Sequence, residues 1–287
     1  MRSILNILKN RKTVTQLFIL TGLILTMNAY PQDPNFYIYL CFGQSNMEGQ
    51  GAIEEQDKTV DSRFQVLQAV DDPKTDRTKG NWYTAVPPLC RGNKGLCPAD
   101  YFGRTMVENL PDSIRVGVIN VAVGGCKIEL FDKAIYQDYT ATYKEDWFTE
   151  AINAYKGNPY QYLIDLAKQA QQDGVIKGIL LHQGESNTGD AQWPAKVKTV
   201  YDNLVADLDL DPASVPLLAG QVVNADQGGV CASMNAIIDK LPETLPNSYV
   251  IPSSGCTCKF DHIHFNSAGY RVLGKRYADK MLAIMEH

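Results

Sequence analysis

Short runs of apolar residues alternate along this chain with longer stretches of helical period. The first run, Phe36 to Phe42, is apolar and aromatic throughout and stops at Gly43. Arg115 to Val123 stops at Gly124-Gly125, and Ile176 to Leu181 stops at His182-Gln183-Gly184-Glu185. Val215 to Val223 is a fourth run and Tyr249 to Ile251 a fifth. Runs this short without a polar alternate face read as strands buried on both sides. Helical patterns lie between and after them over 100–109, 160–172, 193–208, 232–241 and 267–285, with Ser267 as the expected N-cap of the last. Strands alternating with helices predict an α/β fold, a parallel sheet of about five strands covered on both faces as a three-layer α/β/α sandwich. The segment from Ala52 to Pro98 has no clear period and is rich in Asp, Lys, Gly and Pro. It is expected to be a long surface excursion that frames a cleft. No repeat, low-complexity tract or linker divides the chain, so 34–287 is expected to form one domain.

The N-terminus departs from this pattern. Arg2, Lys9, Arg11 and Lys12 precede an apolar run from Leu17 to Met27, and no acid occurs before Asp33. A basic stretch followed by a short apolar one is the pattern of a secretory signal, expected here over 1–30. The run is shorter than the ~20 apolar residues that span a bilayer, so no stable membrane span is expected once the signal is cleaved. The expected location is periplasmic or extracellular. Seven cysteines are compatible with that compartment. Cys90 and Cys97 bracket a Gly-rich loop they could close, and Cys231 could reach Cys256 or Cys258. Cys41 and Cys126 sit in or beside apolar runs and read as buried thiols. The net charge of −5 offers no basic footprint for nucleic acid.

Sheets of this kind bind ligands beyond the carboxyl ends of their strands. Three predicted strand ends carry the most polar, Gly-containing motifs in the chain. Ser45, in Gly43-Gln44-Ser45-Asn46-Met47, directly follows the first strand. A serine there is ordinarily a helix cap; at a helix start its own N–H is also free to donate to an oxyanion. A serine nucleophile needs a base, and the base an orienting acceptor. Asp261 precedes His264 by three residues, a spacing that lets the carboxylate reach Nδ1–H in a turn and leaves Nε2 for Ser45. His262 reads as a surface or structural residue, and His182 as a hydrogen-bonding support. Gly124-Gly125 can supply a backbone N–H, and the Gln183 amide a side-chain donor. Glu185 could orient a neighbour, act as a second acceptor for the catalytic histidine, or belong to a structural network.

The Gly43-Gln44-Ser45-Asn46-Met47, His182-Gln183-Gly184-Glu185-Ser186 and Asp261-x-x-His264-Phe265 blocks resemble those of the SGNH (GDSL-like) hydrolases. More specifically they resemble carbohydrate acetylesterases of the sialate O-acetylesterase and acetylxylan esterase type, over about 36–285. The resemblance implies a flavodoxin-like sheet, Ser45 as nucleophile, His264 as base, and oxyanion donors at Ser45 N–H, Gly125 N–H and Gln183. Gln183 stands where the wider superfamily has Asn. The superfamily pattern nominates Asp261 as the acid. The carbohydrate esterase branch has also assigned that role to the Glu of the block, here Glu185; spacing favours Asp261.

The expected activity is removal of O-acetyl groups from a carbohydrate, acetylxylan or sialic-acid type, with no metal or organic cofactor. Three other readings compete. Cys256, Cys258, His262 and His264 form a compact set of soft ligands, but Cys-x-Cys is not the usual zinc spacing. A non-catalytic glycan-binding module of the same fold could use Trp82, Trp147 and Trp193 to stack on sugars. An esterase for non-carbohydrate esters would need no different machinery, though no long apolar lid is evident.

Overall fold

The computed structural model describes residues 32–286, so the signal expected over 1–30 lies outside the described residues. The strands are β1 (Asp33–Gly43), β2 (Phe64–Leu67), β3 (Trp82–Thr84), β4 (Arg115–Ala122), β5 (Gly174–His182), β6 (Leu217–Gly220) and β7 (Ser248–Ile251). The helices are α1 (Ser45–Glu48), α2 (Pro98–Asn109), α3 (Tyr136–Ala141), α4 (Asp146–Asn153), α5 (Pro159–Ala170), α6 (Trp193–Asp207), α7 (Asn235–Ile238), α8 (Leu241–Thr244) and α9 (Ser267–Met285). The strands form one sheet in the order β3-β2-β4-β1-β5-β6-β7. All neighbours are parallel except β2 and β3.

The sheet therefore has seven strands where about five were expected. Both additions, β2 and β3, come from the segment read as irregular. They are four and three residues long, too short for a period to show, and they pair at one edge. The fourth expected strand contracts to Leu217–Gly220, and the helix expected over 232–241 breaks into a 3₁₀ turn, α7 and α8.

β1 is the central strand, paired with β4 through Cys41↔Asn120 and with β5 through Cys41↔Leu180. Its side chains alternate between two cores. Ile38, Leu40 and Phe42 pack with Ile119, Ile179 and Leu181 under α5 and α6. Tyr39 and Cys41 pack with Val118, Leu180 and Leu218 under α2 and α9. Phe42, three residues before Ser45, is fully buried edge-on to Phe131, with ring centroids 5.1 Å apart. Burial of one such ring stabilises by roughly 2–3 kcal/mol, which anchors the strand end that presents the serine.

Local signals set the helix starts. Asn158 caps α5 by accepting from Gln161 N–H, and Pro159 occupies the first turn. Asn266, not Ser267, caps α9: its extended backbone lets Oδ1 accept from Gly269 N–H at 2.9 Å. Ser267 Oγ instead donates to Ala52 O at 2.7 Å. All seven cysteines are free thiols, so neither expected disulfide loop is closed. Burial raises the pKa of the Cys41 and Cys126 thiols, as expected for groups held in the apolar interior. Among the described residues, no helix is long and apolar enough to cross a membrane.

Candidate active site

The site forms where the carboxyl ends of β1, β4 and β5 meet the loop after β7. β1 and β5 converge there so closely that a Cβ on Gly43 would lie 2.1 Å from His182 O, and Gly43 takes φ +146°. Only glycine fits that combination. Gln44 N–H donates to His182 O at 3.0 Å, and the chain then turns into the single-turn helix α1. Ser45 is its first residue, and its N–H has no acceptor among the described residues.

The loop between β7 and α9 brings His264 to this serine. Ser45 Oγ lies 2.8 Å from His264 Nε2. His264 Nδ1 lies 2.8 Å from Asp261 Oδ2. Asp261 Oδ1 accepts from both Ile263 N–H and His264 N–H at 2.9 Å, the tight turn that three-residue spacing allows. Partial burial raises the Asp261 pKa, but the hydrogen bonds from His264 and Ile263 outweigh it and bring it down to about 2. Asp261 is therefore an ionised acceptor that fixes the His264 proton on Nδ1, leaving Nε2 to accept from Ser45.

Glu185 occupies a different place. It lines the same cavity, but its Oε1 accepts from Asn46 Nδ2 at 2.5 Å, and no hydrogen bond joins it to His264. His182, expected to support the site, has Nε2 3.2 Å from Gln221 O and a buried Nδ1 without a partner. Burial lowers its pKa against the opposing pull of Glu185, so it is a neutral ring bracing the β6 end.

Gly125 and Gln183 divide the expected oxyanion role unequally. Gly125 takes φ +70°, lines the cavity, and its N–H has no acceptor among the described residues. Gln183 is buried behind the site, which corrects its expected role. Its Nε2 already faces Gln44 Oε1, Cys126 O and Asn187 Oδ1 at 3.1, 3.2 and 2.7 Å. Its Oε1 accepts from Trp193 Nε1 at 2.5 Å, so the amide has no free hydrogen for a ligand. Gln44, which the sequence did not single out, lines the cavity instead. Its Oε1 is held by Gln183 Nε2 and Ser186 N–H, which leaves its own NH2 group as a donor without an acceptor among the described residues.

A cavity of about 640 Å³ opens over Ser45 and His264 and runs to Arg91, Lys94 and Trp147. Its cations come from the excursion between β1 and α2, which thus frames the cleft as expected. Both pair with the buried Glu48: Lys94 Nζ lies 2.9 Å from Oε2, and Arg91 binds Oε1. Glu48 Oε1 also accepts from Gly124 N–H at 3.2 Å, which pins the strand end beside Gly125. Glu48 was missed because nothing local marks an acid whose cationic partners lie more than 40 residues away. Burial, with Arg91 adjacent, lowers the Lys94 pKa.

The remaining candidates separate. Trp193 is buried, and Trp82 packs on Phe36 at 4.7 Å. Trp147 alone of the three is exposed, at 55%, and it stands against Gly125 on the cavity wall. The proposed soft-ligand set does not converge. Cys256 takes a contact from Arg276 Nη1, Cys258 Sγ lies 3.6 Å from His262 Nδ1, and His264 is turned to Ser45 and Asp261.

Comparison with known proteins adds to this geometry. Residues 35–283 match the family model described as carbohydrate esterase, sialic acid-specific acetylesterase. A protein from Arabidopsis thaliana of solved structure is similar at a TM-score of 0.67 and 22% identity, covering 88% of this chain and 99% of that one. NanS is similar at 0.65 and 16%, covering 88% and 99%. A carbohydrate acetylesterase from Xanthomonas citri is similar at 0.56 and 18%, covering 84% of this chain and 55% of that one. These likenesses show a shared fold.

Proposed function

The chain belongs to the carbohydrate esterase, sialic acid-specific acetylesterase family, an enzyme family of carboxylic ester hydrolases, and from that membership we propose a Ser-His-Asp mechanism acting on an O-acetylated sugar. The observation that carries the mechanism is the continuous line from Ser45 Oγ to His264 Nε2 and from Nδ1 to Asp261, both links 2.8 Å. His264 takes the Ser45 proton as Oγ attacks the acetyl carbonyl. Ser45 N–H, Gly125 N–H and the Gln44 amide are the donors available to the oxyanion. The sugar alcohol leaves with the proton from His264. Water, deprotonated by the same ring, then releases acetate and restores Ser45.

The sugar reading is supported by Trp147, an exposed aromatic face on the wall of a cavity that also presents Gln50, Arg91, Asn93, Lys94 and Glu150. An apolar ring face of a pyranose can lie on such a surface while its hydroxyls meet the polar wall. Acetate release from acetylated sialic acid, acetylxylan and acetylated pectin tests the class. Release from none of them, with turnover of simple alkyl or thioesters, would defeat it. The basic-then-apolar pattern of residues 1–30 supports export; N-terminal sequencing of exported protein checks it.

A further inference from the structure

We propose that Asn46 and Glu185 form a clamp that sets the position of His264, with Glu185 acting through Asn46 and not on the histidine. The inference rests on His264 being the base. Asn46 follows the nucleophile and is fully buried. Its Nδ2 donates to Ile263 O at 3.0 Å, and its Oδ1 accepts from Phe265 N–H at 3.2 Å. One side chain thus holds the backbone on both sides of His264 and ties it to the helix that carries Ser45.

Phe265 is buried and Lys259 N–H donates to His264 O at 2.8 Å, but 259–262 before the histidine are exposed, so on that side apolar burial does not fix the loop. An asparagine amide can turn over, and two contacts fix its orientation here. Tyr270 Oη donates to Oδ1 at 2.6 Å, and Glu185 Oε1 accepts from Nδ2 at 2.5 Å. Flipping the amide would place NH2 against two donors and the oxygen against a carboxylate and a carbonyl. Glu185 is suited to this task and poorly placed for another. Its second oxygen is buried with no partner, and its closest approach to a ring nitrogen is 3.9 Å, to His182 Nδ1.

Positioning and charge make opposite predictions for a neutral isostere. In Glu185→Gln the amide oxygen can still accept from Asn46, in the place Oε1 now holds. A triad acid, by contrast, loses about 10⁴ in kcat on amidation. Steady-state hydrolysis of p-nitrophenyl acetate would be measured for Asn46→Ala, Glu185→Ala, Glu185→Gln, the double Ala variant and His264→Ala, with thermal midpoints. Misplacing a catalytic group by about 1 Å costs on the order of 10²-fold. The expected result is a kcat lowered about 10²-fold in each single Ala variant with KM within about twofold of wild type. Glu185→Gln should return to within about tenfold of wild type, and the double variant should fall no further than the singles, since both residues act through one contact. Loss in Glu185→Gln as deep as in Glu185→Ala, or multiplicative losses in the double variant, would overturn the clamp while an inactive His264→Ala left the base in place. Wild-type turnover in His264→Ala would instead remove the base, and the clamp with it.

Discussion

Replacing Asp261 by Asn should silence the site without unfolding it, and the structure supplies the reason. Asp261 Oδ1 accepts two backbone donors of its own turn at 2.9 Å, and Oδ2 faces His264 Nδ1 at 2.8 Å. In the variant the amide oxygen keeps the two backbone donors, because NH2 there would meet two N–H groups. The amide NH2 is then turned to Nδ1, which must accept. That moves the ring proton to Nε2, which donates to Ser45 Oγ where it had accepted. A base with the wrong tautomer loses about 10⁴ in kcat, or roughly 5.5 kcal/mol of activation free energy. The folded state loses little. The Asp261 side chain is 39% exposed, so screening limits its pairing with His264 to about 1 kcal/mol or less, and the turn's backbone bonds survive. Steady-state kinetics on p-nitrophenyl acetate with a thermal melt of the same preparation reads both. Turnover within tenfold of wild type in a folded Asp261→Asn protein would refute the assignment of this carboxylate as the orienting acid.

Glu48→Ala should strand Arg91 and Lys94 over a buried hole, and breaking a buried pair costs about 3–5 kcal/mol. At roughly 2–4 °C per kcal/mol for a domain of this size, calorimetry should show a melting point lowered by roughly 6–20 °C; an unchanged midpoint would mean the pair is not formed. Trp147→Ala should remove ~1 kcal/mol of stacking and raise KM about fivefold for an acetylated sugar while leaving KM for p-nitrophenyl acetate unchanged; equal shifts on both would argue against a sugar platform. The Asp261 pKa of about 2 lies below its ordinary 3.8, so its ionisation favours the folded state above that value and the contribution fades as pH falls towards 2. Urea midpoints of wild type and Asp261→Asn should therefore differ at pH 6 and converge near pH 2, and a gap that widens in acid would contradict the sign.

The central strands, and the Ser45, His264 and Asp261 side chains that the fold brings together, were legible in the sequence because each rests on a local pattern. Buried strands give unbroken apolar runs, their polar ends stand out against them, and the Asp261–His264 turn spans three residues. What was not legible depends on distant partners. β2 is a strand because β4 offers an edge to pair with, and β3 because β2 then does; neither is long enough to carry a period of its own. Gln183 stood in a polar motif at a strand end, and only the positions of Asn187, Cys126 and Trp193 reveal that its amide is spent inside the protein. Gln44 and Asn46 flank the serine inside its motif and Glu48 follows it directly, but nothing local marks what they bind. Their partners, at Ser186, Glu185 and Arg91, come from other parts of the chain. The helix start at Asn266 turned on which of two adjacent polar residues had Ala52 within reach.

The most direct test is to trap the nucleophile. The chain would be treated with a fluorophosphonate, which reacts only with an activated serine, and the adduct located by peptide mass spectrometry. The account predicts a single adduct on Ser45 with parallel loss of acetate release, and neither labelling nor turnover in Ser45→Ala. An adduct on another residue, or acetate release at the wild-type rate from Ser45→Ala, would contradict it.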